Sequence, residues 1–315
     1  MGLIRFFLLI YACAAGVVSY AQSHNACAYD HMVDPSIQRE HILNLTGGET
    51  AGRATGSRGA FVAKEYIEKK FEEYGVESRG ILYYQPFKEN SITGYNVIGE
   101  VKFNEKSSEY IVVGAHYDHL GTIKGKVYTG ADDNASGVAA LLELGRVFAR
   151  MKKDGKRLSK NILFVAFDGK ELSMAGSRSF LNTSKIRLYN MKCMINIDQI
   201  GSILAPPHKD TNYVLVLGRE KIAEWAAEKL DLCNRMGHLG LDIDYTFYNS
   251  ESFAKIFYTL SDHHSFAQKE IPALFFTSGI TDHTYKESDT EDKISYPVLT
   301  NRIKLIFHLI YHMAY

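Results

Sequence analysis

The chain has 315 residues, with 36 basic and 36 acidic side chains and a formal net charge of +0 at pH 7. That balance provides no excess of positive charge with which to bind nucleic acid, and it gives no reason to expect an acidic partner. Aromatic residues are plentiful and Pro is scarce, which excludes a disordered or low-complexity chain and indicates a folded protein with a sizeable core.

The first residues, MGLIRFFLLIYACAAGVVSYAQS, have the pattern of an export signal. Arg5 precedes an apolar stretch that ends in small residues, Ser19 and Ala21, at the spacing that a signal peptidase prefers. The stretch barely reaches the roughly 20 apolar residues of a membrane-spanning helix, and no basic stop-transfer flank follows it. We therefore predict a signal peptide over residues 1–21 and a secreted or periplasmic mature chain without a membrane span.

Cysteines are few and indicate little covalent cross-linking. Cys13 leaves a lipid-anchored chain as an alternative to secretion. Removal of the signal peptide leaves Cys27, Cys193 and Cys233, so that at most one internal disulfide can form. No repeat and no linker rich in Pro, Gly or Ser divides the rest, and we predict a single domain over residues 22–315. The oligomeric state is left open.

Strand-like and helix-like patterns alternate along that domain. Short apolar runs predict buried strands, and apolar residues at helical spacing predict helices. Strands are predicted at residues 94–103, 109–115, 161–167, 192–198, 213–217 and 272–277, and helices at 59–74, 134–151, 219–232 and 297–313. Such alternation predicts an α/β fold, a three-layer α/β/α sandwich with a central mixed, largely parallel sheet.

Carboxylates and histidines follow the carboxyl ends of the predicted strands, where open α/β sheets bind their ligands. They are His116 and Asp118, Asp168 with Lys170 and Glu171, Asp198, Asp282 and His283, with Asp133 in a Gly-containing loop before a helix. Two histidines and three carboxylates without a thiolate suit zinc, or manganese or cobalt. A carboxylate shared by two ions would hold them roughly 3.5 to 4 Å apart, as in hydrolytic two-metal sites.

Two of these residues stand close together in the sequence and suggest a positioning contact. Asp118 lies two residues beyond His116. Its carboxylate is predicted to accept the second ring N–H of that histidine and so fix the tautomer of the metal ligand.

Six blocks of the sequence carry a resemblance to a known family. In chain order they read GAHYDHLG, GADDNASGVAALLELGR, FVAFDGKELSMAGS, MINIDQIG, SDHHSFAQKEIPALFF and DHTYKESDT. They resemble the signature blocks of the co-catalytic zinc exopeptidases, which include bacterial leucyl aminopeptidases, glutamate carboxypeptidase and the transferrin receptor ectodomain. The resemblance implies the zinc-peptidase fold, two zinc ions and a peptide substrate.

The resemblance also implies a ligand set with one bridging carboxylate. Asp133 would bridge the ions; the other ligands would be His116 and Asp198 for one ion, and Glu171 and His283 for the other. All five positions hold residues that can bind zinc.

Lys170 is the departure that bears most directly on activity. Family members have two successive glutamates where this chain has Lys170 and Glu171. The first serves as general base and proton shuttle, and the second as a ligand. A protonated lysine has no acceptor lone pair and cannot take a proton from water, although a neutral amine could. Loss of general-base catalysis typically lowers a rate by ~10²- to 10⁴-fold.

Two further departures lie near the C-terminal blocks. Asp282 stands where the family commonly has a tyrosine before its last histidine. His263 and His264 follow Asp262 where a tyrosine is common, and either could contact substrate or act as an alternative base. The same pair could equally be two surface histidines on a short helix.

Three functions are compatible with this sequence. The first is an exported zinc exopeptidase, of the aminopeptidase type, with reduced or rerouted base catalysis. The second is a metal-binding pseudo-enzyme that holds peptides or another partner without cleaving them. The third is another hydrolytic or acyl-transfer reaction on a peptide-like substrate, in which a cationic Lys170 stabilises negative charge. The intact ligand positions favour the first, and the lysine favours the second.

Overall fold

The computed structural model describes residues 28–315 except for residues 51, 206–209 and 223. The predicted signal peptide, Cys13 and Cys27 lie outside the described residues. Across the ranges that are described, no helix is both long enough and apolar enough to cross a membrane.

The described elements alternate as the sequence predicts. The strands are β1 (Glu77–Ser78), β2 (Tyr84–Glu89), β3 (Ile92–Val101), β4 (Tyr110–His116), β5 (Gly121–Ile123), β6 (Lys126–Tyr128), β7 (Asn161–Phe167), β8 (Met191–Ile197), β9 (Tyr213–Leu217), β10 (Asp242–Asp244) and β11 (Ala273–Thr277). The helices are α1 (Pro35–Thr46), α2 (Arg58–Tyr74), α3 (Gly137–Lys153), α4 (Ala175–Thr183), α5 (Glu224–Met236), α6 (Glu251–Phe257), α7 (His263–Ala267) and α8 (Tyr296–Ala314). A kinked segment, Ala131–Ser136, in which Asp133 and Asn134 have non-helical backbone angles, leads into α3.

A mixed sheet forms the centre of the fold. Its strand order is β1-β3-β7-β4-β8-β11-β9-β10, and β2 pairs with β3 beside β1. The four central strands β7, β4, β8 and β11 run parallel, whereas β3 and β9 flank them antiparallel. The predicted mixed sheet is therefore confirmed, with its parallel part at the centre.

Successive residues of the central strands point to opposite faces of the sheet, as the period of two in a strand requires. Ile111 and Val113 of β4 join the larger apolar cluster, which contains residues of α1, α2, α3 and α8. Val112 between them joins the second cluster, which contains Phe180 of α4 and Phe266 of α7. Both faces are covered by helices, so the predicted three-layer sandwich is confirmed.

Local sequence signals account for the ends of the helices that flank the site. Ser57 accepts the backbone N–H of Ala60 at 3.1 Å and caps α2, which ends at Gly75 with φ +77°. At the start of α3, the side chain of Asn134 accepts the N–H of Gly137 at 3.0 Å. Asn134 thus satisfies one backbone N–H in the first turn of α3.

Candidate metal centre

The carboxyl ends of three neighbouring parallel strands bring the predicted ligands to one edge of the sheet. His116 is the last residue of β4, Asp198 follows β8, and the segment 168–171 follows β7. Because β4 lies between β7 and β8, these groups surround the end of β4. The kinked segment Ala131–Ser136 carries Asp133 into the same place, and its Asp133–Asn134 peptide bond is cis.

His116, Asp133 and Asp198 form the first cluster of possible metal ligands. Nε2 of His116 lies 3.3 Å from Oδ1 of Asp133 and 3.3 Å from Oδ1 of Asp198. All three side chains are buried, and neither His116 Nε2 nor Asp133 Oδ1 has a hydrogen-bond partner among the described residues. Unpartnered buried polar atoms are costly, and three converging N and O donors are the ligand types that zinc prefers. This donor set fits a zinc ion.

The ring of His116 is oriented by the main chain of Asp118. Nδ1 lies 3.0 Å from the Asp118 carbonyl oxygen and 3.6 Å from the carboxylate. A proton on Nδ1 donates to that carbonyl and leaves Nε2 as the ligand atom. The predicted partner, the Asp118 carboxylate, instead accepts the backbone N–H groups of Lys170 at 3.1 Å and Glu171 at 3.0 Å. Asp118 therefore orients His116 through its carbonyl oxygen, and it positions the main chain at Lys170 and Glu171 through its carboxylate.

Lys170 is buried and points into the site. Its Nζ lies 3.0 Å from Oε1 of Glu171, donates to the hydroxyl of Tyr285 at 2.8 Å, and lies 3.8 Å from Oδ1 of Asp133. Burial alone would lower the pKa of Lys170, but the carboxylates of Asp133, Asp198 and Glu171 outweigh it and raise the pKa well above its usual value. The side chain is thus an ammonium held by the carboxylates of the site.

A second cluster consists of His119, Asp133 and Glu171. Both ring nitrogens of His119 are buried, and within the described part of the chain neither has a hydrogen-bond partner. Burial lowers the pKa of His119 to about 4, so that the ring is neutral and able to bind a metal at pH 7. His119 was not predicted as a ligand, although it stands three residues after His116 in the same sequence block. Nζ of Lys170 lies 3.0 Å from the carboxylate of Glu171, which belongs to this cluster alone, and 3.8 Å from Asp133, which both clusters share. Because an ammonium already holds the Glu171 oxygen, this donor set does not fit a dication while that ammonium is present.

His283, the predicted fifth ligand, lies apart from both of these clusters. It is half-buried, and its Nδ1 lies 2.9 Å from the hydroxyl of Ser288. Two residues further on, Tyr285 stacks on His119 with ring centroids 6.3 Å apart and an interplanar angle of 9°. The loop after β11 therefore reaches the site through Tyr285, and the role of His283 stays a prediction.

His263, the predicted substrate contact, is fully buried. Its ring stacks on Phe275 at 4.5 Å, because α7 packs against β8 and β11. Because this side chain has no exposed surface, the alternative of two surface histidines is wrong for His263, and its contact with substrate stays a prediction. His264 is partly exposed and lies beside Gln268, and Asp282 is exposed.

Asp289 holds the segment that carries Asp133. Its two carboxylate oxygens accept the backbone N–H groups of Asp132 at 2.8 Å and Asp133 at 3.0 Å. Asp132 in turn accepts the N–H of Gly201 at 2.7 Å, which joins the segment to the chain after β8. Asp289 was not predicted as a site residue, although it stands in the last sequence block, DHTYKESDT.

One cleft is lined both by residues of the candidate metal centre and by an apolar wall. Asp133, Lys170 and Asp198 belong to its polar lining. The apolar wall consists of Phe247, Phe257, Leu260, Phe275 and Ile280.

Comparison with known proteins identifies the family of this chain. A probable zinc metalloprotease of Pyrenophora tritici-repentis is 32% identical over 160 residues, which cover 46% of this chain and 36% of that protein. Aminopeptidase YwaD of Bacillus subtilis is 33% identical over 112 residues, which cover 35% of this chain and 22% of that protein. The matches thus span well under half of either curated relative.

The solved structures agree with this result at the level of the fold. The LapA aminopeptidase of Legionella pneumophila superposes with a TM-score of 0.71 and 21% identity over 92% of this chain and 75% of that one. The model of peptidase family M28 matches residues 96–310, which contain both clusters of possible ligands. The chain belongs to peptidase family M28.

Proposed function

We propose that the protein is an exported zinc-dependent exopeptidase that removes N-terminal residues from peptides. The observation that carries this proposal is the convergence of His116 Nε2, Asp133 Oδ1 and Asp198 Oδ1. The first two of these atoms have no hydrogen-bond partner in the part of the chain that the structure describes. Membership of peptidase family M28 and the names of the relatives, zinc metalloprotease and aminopeptidase, support it.

The residues around the first cluster suit a fixed zinc site. The Asp118 carbonyl orients the ring of His116, and the Asp289 carboxylate holds the main chain at Asp133. Two of the three ligands are therefore positioned by hydrogen bonds to residues outside the cluster. Zinc bound there supplies Lewis-acid activation of water and of the scissile carbonyl.

The lining of the cleft indicates which peptide substrates the protein prefers. The wall formed by Phe247, Phe257, Leu260, Phe275 and Ile280 lines the same cleft as Asp133 and Asp198. Burial of an apolar side chain against such a wall contributes ~1.5–3 kcal/mol. We therefore propose that the protein prefers substrates with an apolar N-terminal residue.

Lys170 limits the rate of this reaction. Its ammonium has no lone pair, and its contacts with Glu171 and Tyr285 keep it inside the site. Burial raises the pKa of Tyr285 to about 12, so that the phenol is protonated and cannot replace a carboxylate base at pH 7. We expect turnover that is ~10²- to 10⁴-fold below that of the same site with a carboxylate at this position.

The same lysine favours a second candidate function, the binding of peptides without cleavage. A cation locked between Glu171 and Tyr285 occupies the place that the resemblance assigns to the base. The metal ligands would then serve recognition of the peptide terminus.

Turnover of defined peptides separates the two candidates. The mature protein is offered a panel of aminoacyl amides and short peptides with and without a chelator, beside the His116→Ala variant and an exposed-site control, His238→Ala. The exopeptidase is supported by turnover that the chelator and His116→Ala abolish and that His238→Ala retains. Tight peptide binding by zinc-loaded protein without detectable cleavage supports the second candidate instead. The intact mass of the exported product tests export, because cleavage after Ala21 makes Gln22 the first residue.

A further inference from the structure

We propose that the ammonium of Lys170 takes the place of one of the two metal ions, so that the protein holds a single zinc ion at His116, Asp133 and Asp198. This departs from the two-ion centre that the family resemblance implies. It rests on the proposed function only in taking the His116 cluster to be a zinc site, and it does not depend on peptide cleavage.

The contacts of Lys170 place its charge where the second ligand set converges. Nζ lies 3.0 Å from Glu171 Oε1 and 3.8 Å from Asp133 Oδ1, the two carboxylates of the second cluster. A third contact, the 2.8 Å hydrogen bond from Nζ to the Tyr285 hydroxyl, also holds the end of the Lys170 side chain in place. The ammonium and a second ion would therefore compete for the same oxygens.

Charge balance favours one ion together with the lysine. The carboxylates that reach the two clusters belong to Asp133, Glu171 and Asp198. One dication and one ammonium match these three negative charges, whereas two dications and an ammonium exceed them. A dication within about 4 Å of an ammonium is strongly repelled even at the effective dielectric of a protein.

His119 indicates that the second cluster could bind a metal ion if the charge of Lys170 were removed. Its ring lies within reach of Asp133 and Glu171 and offers unpartnered nitrogens. Tyr285 stacks on one face of the His119 ring, and its hydroxyl also accepts a hydrogen bond from the Lys170 ammonium. The same tyrosine therefore positions both His119 and Lys170. Removal of the positive charge at position 170 frees Asp133 and Glu171 to join His119 around a second ion.

Zinc stoichiometry tests this inference directly. The protein is stripped of metal, equilibrated with excess zinc, desalted and analysed for zinc per chain. We expect one zinc ion in the natural protein and in Lys170→Arg, which keeps the charge. We expect two in Lys170→Glu and in Lys170→Gln, which remove it. His119→Ala is expected to leave the natural protein at one ion and to return Lys170→Glu from two ions to one.

Cobalt gives a second readout that is independent of activity. Electron paramagnetic resonance of the cobalt-loaded natural protein should show one isolated ion, and Lys170→Glu should show a magnetically coupled pair. Two zinc ions in the natural protein, or a single ion in both Lys170→Glu and Lys170→Gln, would overturn the inference while leaving the proposed function intact. No bound zinc in the natural protein would overturn both, and circular dichroism of each variant confirms that it is folded.

Discussion

The carboxylate of Asp289 accepts the backbone N–H of Asp133 at 3.0 Å. Asp289 precedes the 3₁₀ turn before α8, far along the chain from Asp133, so this contact joins the C-terminal segment to the metal ligand. With the companion bond to Asp132 at 2.8 Å, it fixes the path of the main chain through the site. The position of the ligand therefore depends on a residue that binds no metal.

Replacement of Asp289 should weaken zinc binding. In Asp289→Asn one carboxylate oxygen becomes an amide group that cannot accept the N–H of Asp132 or Asp133. Loss of a partner that orients a ligand typically costs 10- to 100-fold in metal affinity, and competition with a chromogenic chelator measures it. The control is Asp292→Asn, which removes an exposed charge on the same segment. Equal zinc affinities of both variants and the natural protein would contradict the prediction.

A glutamate at position 170 should raise the rate of peptide cleavage. Lys170→Glu supplies a carboxylate that can accept a proton, and general-base catalysis is typically worth ~10²- to 10⁴-fold. The measurement is kcat/KM for an apolar aminoacyl substrate. Lys170→Gln is the matched control, because it removes the charge without supplying a base and should gain far less. If both variants match the natural rate, Lys170 is not what limits turnover.

A substitution at Phe164 tests whether the central sheet is packed as described. It is fully buried on β7 within the larger apolar cluster, and its ring lies 6.4 Å from that of Phe148 on α3. Phe164→Ala should lower the free energy of unfolding by about 3–5 kcal/mol, as for other buried Phe residues. Urea unfolding measures this value. Phe61→Ala on α2, whose side chain is 45% exposed, should cost much less, and similar losses at both positions would argue against this packing.

His41 should make the fold sensitive to acid. Burial lowers its pKa from 6.5 to about 3, and its ring hydrogen-bonds with Tyr66 at 2.7 Å. The folded state keeps this histidine neutral, while the unfolded chain takes up a proton below pH 6.5. Stability is therefore full above pH 6.5 and is lost as the pH falls from 6.5 toward 3, by about 2 kcal/mol at pH 5.

A variant that cannot titrate isolates this contribution. His41→Gln keeps a hydrogen-bonding group beside Tyr66 without a titratable ring. Urea unfolding of chelator-treated protein at pH 7.5 and pH 5 gives the loss on acidification for each form. We expect the natural protein to lose about 2 kcal/mol more than the variant between these two values. Equal losses would show that His41 is not held neutral by the fold.

Much of this fold could be predicted from local patterns. The runs at 109–115 and 161–167 predicted β4 and β7 within one residue, because strands buried on both faces are almost entirely apolar. Strand β2, YQPFKE, escaped prediction since it lies at the edge of the sheet and has a single buried residue. Helix α5 begins later than predicted, at Glu224, because the residues Arg219–Lys221 form a 3₁₀ turn.

The site was predictable where the strand ends determine it, and less so where the loops do. His116 and Asp198 meet because adjacent parallel strands end at the same edge, which strand order alone implies. Tyr285 and His119 lie on loops, and their stacking depends on tertiary packing that no spacing encodes. The direction of the Lys170 side chain was open for the same reason, since its stem could have carried the ammonium to solvent.

A crystal structure of the zinc-loaded protein, with anomalous scattering at the zinc edge, shows how many zinc ions the protein holds and where they bind. We expect one anomalous peak per chain, about 2.0–2.2 Å from His116 Nε2, Asp133 and Asp198, with Lys170 still against Glu171. The absence of zinc from these three residues would contradict the proposed metal centre. A second peak at His119, Asp133 and Glu171, with Lys170 displaced, would contradict the single-ion site.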